Sequence, residues 1–164
     1  MTCNKEQVTQ AFIESREDVY RYLLTLRVPP ALAQDATQEA FLRLYLALER
    51  GDEISNRRAW IFRVAHNQAL DLLAKERFQP LEETLEMTLR DGGRLAETQL
   101  IERERVERLA NAWSTLSPQQ KHCLHLRTEG LRYREIAETL QISTSSVREF
   151  LDRAIGRLRK AVHE

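Results

Sequence analysis

Residues 130–147 read Gly130-LRYREIAETLQISTSS-Val147, a pattern typical of two helices joined by a tight turn. Apolar residues recur at helical spacing before and after the turn, and the small side chain of Ala137 lets the two helices approach closely. Ser143 supplies an N-cap for the second helix. The pattern predicts a helix-turn-helix, whose second helix presents its N-terminal side chains to the major groove of DNA.

Polar side chains around this turn are the candidates for contact with duplex DNA. Arg can bond a guanine edge bidentately or hold a phosphate, Ser and Thr can do either, and Glu can accept from a cytosine amino group. The competing interpretation is an ordinary helical hairpin with a solvated polar face. The candidate residues are Arg132, Thr144, Ser145, Ser146, Arg148, Glu149 and Arg153.

Composition narrows the class of protein. The 164 residues include five Gly and four Pro, too few for a fold rich in β-turns, so we expect a mainly α protein. The net charge of zero excludes a polycation that holds nucleic acid by charge alone. Cys3 and Cys123 match no metal-ligand spacing, so we expect no metal, no cofactor and no disulfide scaffold. Since no long apolar window or secretory signal is visible, we expect a cytoplasmic protein without a membrane span.

The first 78 residues predict a bundle of three helices. The first helix ends at Pro29, and the second runs from Pro30, which suits a first helical turn, to a stop at Gly51. Asn56 caps the third helix. The predicted core stripe of this third helix consists of Trp60, Val64, Ala65, Gln68 and Leu72.

A linker at residues 79–95, with mixed charges and no apolar stripe, leads to a second helical domain at residues 96–164. This domain starts with a long helix that ends near Ser114 and carries Leu100 in its apolar stripe, and Ser117 caps the next helix. The expected fold is all-α, with two small helical domains. The apolar positions of the last helix are Val147, Leu151, Ile155, Leu158 and Val162.

Three motifs follow one another along the chain. The first is Ala33–Tyr45 (AQDATQEAFLRLY), the second Arg58–Asp71 (RAWIFRVAHNQALD), and the third Leu116–Arg127 (LSPQQKHCLHLR) with the helix-turn-helix after it. In this order they resemble the bacterial RNA polymerase sigma factors of the extracytoplasmic-function group. The resemblance implies a sigma region 2 domain at residues 1–78 and a helix-turn-helix sigma region 4 domain at residues 96–164.

The resemblance implies three kinds of partner. The first is core RNA polymerase, met at the clamp of the β′ subunit and the flap of the β subunit. The second is promoter DNA, as a duplex and as a melted single strand, and the third is an anti-sigma factor, which holds many relatives inactive. The residues that correspond to the polymerase contact are Asp35, Gln38, Glu39 and Leu42.

The third helix corresponds to the part of the family that reads the minus-ten promoter element. Arg side chains can follow the phosphates of separating strands, Asn67 can bond a base edge, and the loop at residues 50–56 can form a pocket for a flipped base. We expect His66 on the surface and Trp60 in the core. The helix-turn-helix then reads the upstream, minus-thirty-five element. The minus-ten candidates are Asn56, Arg57, Arg58, Arg63, His66, Asn67 and Lys75.

Two other functions compete with a sigma factor. The C-terminal half also resembles the output domain of response regulators, but such proteins need an α/β phosphoacceptor domain. The acidic Glu149 and Asp152 of the last helix, which repel phosphate, suit an adaptor that binds polymerase without reading DNA.

Catalysis is not expected. His122 and Cys123 are adjacent, so they point about 100° apart on a helix, and no third group orients them. We expect Cys123 to be semi-buried.

Overall fold

The computed structural model describes residues 3–76 and 96–163, and these residues form seven helices and no strand. The all-α prediction is confirmed. The predicted linker at residues 79–95 lies outside the described residues. The helices are α1 (Asn4–Thr25), α2 (Pro30–Glu49), α3 (Arg57–Glu76), α4 (Ala96–Ser114), α5 (Pro118–Thr128), α6 (Tyr133–Leu140) and α7 (Thr144–His163).

Local caps start the helices where the sequence predicts them. Pro30 occupies the first turn of α2, where its missing N–H costs no hydrogen bond. The side-chain oxygen of Asn56 accepts from the N–H of Ala59 at 3.1 Å. Ser117 forms a reciprocal capping box at the start of α5. Ser143 accepts from the N–H of Ser146 at 3.1 Å and caps α7.

Four helices end in a left-handed residue. Gly51 and Gly130 have φ of 85° and 89°, which glycine adopts without a steric cost, whereas Arg27 and Gln141 adopt φ of 68° and 55° with a side chain. After each one, an N–H returns to a carbonyl five residues earlier, as in a Schellman motif. These bonds run from Val28 to Leu23, Asp52 to Ala47, Leu131 to Leu126 and Ile142 to Ala137.

The N-terminal bundle packs α1 against α2 and α3. Alanines of α2 keep the helices close, and the buried side chains of α1 include Val19 and Leu23. The predicted stripe of α3 is partly wrong. Ile61 and Phe62 are fully buried, while Trp60 is half-exposed. This happens because α3 contacts helices on more than one side, so its buried surface is wider than one stripe.

Helix α7 is the centre of the C-terminal domain, since α4, α5 and α6 all pack on it. Val147 and Leu151 are buried as expected. Ile155, by contrast, is 40% exposed, and the neighbouring Ala154 is buried in its place. Leu100 of α4 is also exposed, at 59%, which contradicts its predicted place in the apolar stripe.

The two halves of the chain meet where α6 packs against α3. Their buried apolar residues belong to one continuous cluster that includes Phe62 of α3, Cys123 of α5 and Ile136 of α6. This contact covers a part of α3 beyond the parts that α1 and α2 cover.

Candidate functional site

One face of α2 carries the residues expected to meet RNA polymerase. Asp35, Gln38 and Leu42 are exposed and Glu39 is half-exposed, so the structure brings all four onto one surface. Their spacing of three or four residues places them on successive turns. Glu39 pairs with Arg43 at 2.9 Å, and such an exposed pair contributes little to stability. The face therefore presents carboxylates and an amide beside an apolar side chain.

Leu46, which was not among the residues predicted from the sequence, extends this face. It follows Leu42 by one helical turn, and the two side chains are 46% and 52% exposed. Exposed leucines beside carboxylates suit a protein partner that offers apolar and basic side chains together. The four-residue spacing of the two leucines is the signal that could have identified this extension.

The minus-ten candidates separate into two groups along α3. The exposed group consists of Arg57, Asn67 and Lys75. The group that contacts the C-terminal domain consists of Asn56, Arg58 and Arg63. The second group is therefore held by partners that the sequence analysis did not foresee.

Arg58 connects three parts of the chain. Its guanidinium donates to Ser15 Oγ at 3.1 Å and to Asp18 Oδ2 at 2.9 Å, both on α1. It also donates to the backbone oxygen of Glu129 at 2.7 Å and pairs with the carboxylate of that residue. Burial, and then repulsion from Asp18, raises the pKa of Glu129, while Arg58 opposes this rise.

Asn56 and Arg63 face α6. The side-chain oxygen of Asn56 caps α3, and its side-chain N–H group donates a hydrogen bond to Glu135 Oε1 at 2.8 Å. The second carboxylate oxygen of Glu135 accepts from the N–H of Arg132 at 2.7 Å, so it also caps α6. Arg63 lies 3.8 Å from a carboxylate oxygen of Glu138.

His66 is 3% exposed, so the expectation of a surface position is wrong. Its Nδ1 lies 2.8 Å from the hydroxyl of Tyr22, and its ring centroid lies 5.8 Å from that of His122. Burial, with a smaller contribution from His122, lowers the pKa of His66 to about 4. A neutral, enclosed imidazole cannot pair with phosphate, and His66 therefore leaves the set of DNA candidates.

Cys123 is fully buried rather than semi-buried. Burial raises the pKa of its thiol to about 11, so the group stays protonated and is a poor nucleophile. On the same helix, the ring of His125 lies 5.1 Å from the ring of Trp113. Burial, and then the charges of His122 and Lys121, lowers the pKa of His125 to about 4. The neutral ring of His125 therefore packs against Trp113.

The DNA candidates of the helix-turn-helix lie on the first three turns of α7 and just before α6. Ser143 bonds the hydroxyls of Ser145 and Ser146 at 2.9 and 2.8 Å, which orders the start of α7. Glu149 pairs with Arg153 at 2.6 Å, so the carboxylate is partly neutralised. The exposed candidates are Arg132, Thr144, Ser145, Arg148, Glu149 and Arg153, and Ser146 is half-exposed.

A small cleft of about 160 Å³ lies between the loop before α3 and helix α6. The loop at residues 53–56 forms one wall, and Glu135, Glu138 and Thr139 form the other. No group of three or more potential metal ligands occurs in the described part of the chain. Across the same residues, none of the helices is long and apolar enough to cross a membrane.

Comparison with known proteins identifies the family. Residues 12–79 match the model of sigma-70 region 2, and residues 112–160 match that of sigma-70 region 4. The chain therefore belongs to the sigma-70 family of RNA polymerase sigma factors, and its similarity to the curated relatives SigM and SigK assigns it to the extracytoplasmic-function group. The response-regulator alternative is wrong, because a region 2 domain stands where a phosphoacceptor domain would be.

Two curated relatives and a solved structure are among the proteins similar to the chain. The extracytoplasmic-function sigma factor SigM of Bacillus subtilis (strain 168) is 29% identical over 144 residues, 87% of this chain and 86% of the relative. SigK of Mycolicibacterium vanbaalenii, from the same group, is 22% identical over 91% of this chain and 78% of its own length. The structure of CnrH in complex with the cytosolic domain of CnrY has a TM-score of 0.61 at 21% identity, covering 97% of this chain and 89% of that one.

Proposed function

We propose that the chain binds core RNA polymerase and directs initiation from a two-part promoter, acting by binding alone and in the cytoplasm. The observation that carries this proposal is the presence of both sigma regions in order, at residues 12–79 and 112–160. A DNA-binding regulator needs only the second of them.

The polymerase contact is the α2 face of Asp35, Gln38, Glu39 and Leu42, extended by Leu46. It suits the clamp of the β′ subunit because carboxylates attract a basic surface and exposed leucines supply apolar area. The β flap is the second polymerase contact, made by the C-terminal domain.

The promoter contacts lie on separate domains. The minus-ten element binds α3 through Asn56, Arg57, Arg58, Arg63, Asn67 and Lys75. The upstream element binds the start of α7, where exposed hydroxyls and Arg148 and Arg153 can reach phosphates and base edges. Because α3 and the start of α7 present different side chains, a variant in one promoter contact should leave the other contact unchanged.

An anti-sigma protein is a further partner. A solved structure similar to this chain contains CnrH bound to the cytosolic domain of CnrY. By likeness to that complex, we propose that a protein of this kind binds the present chain.

The test is a transcription assay with bacterial core polymerase and a library of randomised promoters. Binding to core and initiation from a two-part motif would support the proposal and identify the promoter. Binding to core without initiation would favour the adaptor function instead. Binding to duplex DNA without binding to polymerase would overturn the proposal.

A further inference from the structure

Helix α7 carries a carboxylate at the centre of its outward side. Val147, Leu151 and Ala154 are buried and define the core side of this helix. At 100° per residue, Glu149 lies about 140–160° around the helix axis from each of them. Ser145, one turn earlier, is exposed on the same outward side. In a helix-turn-helix, this side of the second helix enters the major groove, so Glu149 would meet the edges of base pairs.

The carboxylate of Glu149 is held beside a guanidinium. A terminal nitrogen of Arg153 lies 2.6 Å from Oε1 of Glu149, and the two side chains are 63% and 57% exposed. An exposed pair at this spacing adds little to the stability of the helix. It does, however, place a hydrogen-bond acceptor directly beside a set of donors on the side of α7 that faces the groove.

A carboxylate in the major groove can bond only a base that offers a donor. Phosphates repel it, and guanine and thymine present acceptors alone, so its possible partners are the amino groups of cytosine and adenine. Arg153 favours cytosine. A C·G pair presents the cytosine amino group beside two guanine acceptors, O6 and N7, which a guanidinium bonds bidentately. An A·T pair presents a single thymine acceptor and an apolar methyl group in their place.

We propose that Glu149 and Arg153 together recognise one C·G base pair of the upstream promoter element. Glu149 accepts a hydrogen bond from the cytosine amino group, and Arg153 donates to the guanine of the same pair. This inference rests on the proposed function, because it concerns the duplex contact of α7. It gives the acidic Glu149 a part in reading DNA, instead of the repulsion of phosphate that favours an adaptor.

The experiment is a selection from a library of randomised promoters by the full chain bound to bacterial core polymerase. The wild-type protein should prefer cytosine over the other bases by about tenfold or more at one position of the upstream element. Glu149→Ala should lose this preference and keep the preferences at other positions. Glu149→Gln should transfer it to adenine, because a glutamine amide bonds N6 and N7 of adenine.

Two further variants accompany this selection. Arg153→Ala removes the contact with guanine and should relax the preference at the same base pair as Glu149→Ala. Glu104→Ala, at an exposed position of α4, removes the same charge as Glu149→Ala and should leave the selected motif unchanged.

Three results would overturn the proposal. The first is an unchanged motif in Glu149→Ala, including the case in which this variant binds all promoters more tightly, since Glu149 would then act by repulsion alone. The second is relaxation at different base pairs in Glu149→Ala and Arg153→Ala, which would exclude joint recognition. The third is a wild-type selection without any two-part motif, which would remove the proposed function as well and is thereby distinguished from the first two.

Discussion

Tyr22 and His66 form a buried polar pair at the point where α1, α3 and α5 meet. Their hydrogen bond of 2.8 Å satisfies both groups in a region that excludes water. Burial raises the pKa of Tyr22, so its hydroxyl stays protonated and the pair stays neutral. The pair is therefore part of the structural core although both side chains are polar.

Tyr22→Phe should destabilise the protein by about 1–3 kcal/mol, because it leaves a buried nitrogen of His66 without a partner. Urea unfolding measures the change. Tyr45→Phe, at a half-buried position of α2, is the matched control and should change stability by less than about 0.5 kcal/mol. Equal losses in the free energy of unfolding would show that the hydrogen bond between Tyr22 and His66 does not stabilise the protein.

Stability should fall as the pH drops from about 6.5 towards 4. His66 and His125 have folded-state pKa values of about 4, below the unfolded value of 6.5, so the unfolded chain binds more protons in this window. Each group contributes a slope of up to about 1.4 kcal/mol per pH unit. Tyr22 and His122 face His66, while Trp113, His122 and Lys121 face His125.

Urea unfolding at a series of pH values checks this, with His66→Gln as the test variant. It should reduce the slope, whereas replacement of the exposed His163 by Gln should not. Glu129, with its raised pKa, gains relative stability on acidification and opposes the histidines. If the slope of stability against pH were unchanged in His66→Gln, the lowered pKa of His66 would not be a cause of the acid sensitivity.

Residues that act locally could be predicted from the sequence. Asn56, Ser117 and Ser143 cap the helices that follow them because a cap depends on the next three residues. His66 and Cys123 could not be placed in this way. His66 is enclosed by Tyr22, 44 residues earlier, and by His122 of the other domain, and Cys123 is buried in a cluster that spans both domains, so no short pattern records their burial.

At the level of helices, backbone strain that a substitution could relieve is found at the helix ends. Gln141 holds a left-handed conformation at the turn of the helix-turn-helix, and Gly130 holds the same kind of conformation before α6. A side chain in this region has a steric cost of about 1–2 kcal/mol, which glycine avoids. The turn is therefore a place where a substitution can improve stability.

Gln141→Gly should stabilise the protein by about 0.5–1 kcal/mol, since relief of the strain exceeds the added entropy of the unfolded chain. Gly130→Ala should do the reverse and cost about 1 kcal/mol, although the space around it is open. Urea unfolding of both variants measures the two changes in the free energy of unfolding. If Gln141→Ala stabilised as much as Gln141→Gly, backbone strain would not be the cause.

The helices themselves agree with their predicted positions, but the buried faces of α3, α4 and α7 differ from those predicted. The stripe of α3 was predicted for a helix covered on one side, and α3 in fact contacts α1, α2 and α6. In α7, the small Ala154 rather than Ile155 faces the neighbouring helices. Periodicity predicts a helix well and predicts its core face only when one neighbour covers it.

At the level of the whole molecule, the two interaction faces should be separable by mutation. Asp35→Arg with Glu39→Arg reverses the charge of the α2 face and should abolish binding to core polymerase. Arg148→Ala with Arg153→Ala should weaken binding to the upstream element about tenfold or more and leave polymerase binding intact. Polymerase pull-down and duplex gel-shift assays measure the two affinities.

Each double variant serves as the control for the other. Equal loss of polymerase binding in both would mean that the assignment of roles is wrong. Unchanged polymerase affinity in the charge-reversed protein would rule out the proposed α2 face.

The family and the all-α class could be predicted because they depend on motifs inside each domain. The packing of α6 on α3 could not. It depends on contacts of Glu129, Glu135 and Glu138 with α3 and its N-cap, more than 70 positions earlier, and no local pattern distinguishes these carboxylates from ordinary surface ones.

The two carboxylate oxygens of Glu135 accept hydrogen bonds from different domains. One bond, to the N–H of Arg132, lies within the C-terminal domain, and the other, to Asn56, crosses between domains. Loss of the crossing bond would leave the bond to Arg132 intact, so the helix-turn-helix keeps its cap whether or not the two domains are in contact. The two domains can then act as a bivalent ligand for promoter DNA, in which the first to bind raises the effective concentration of the second.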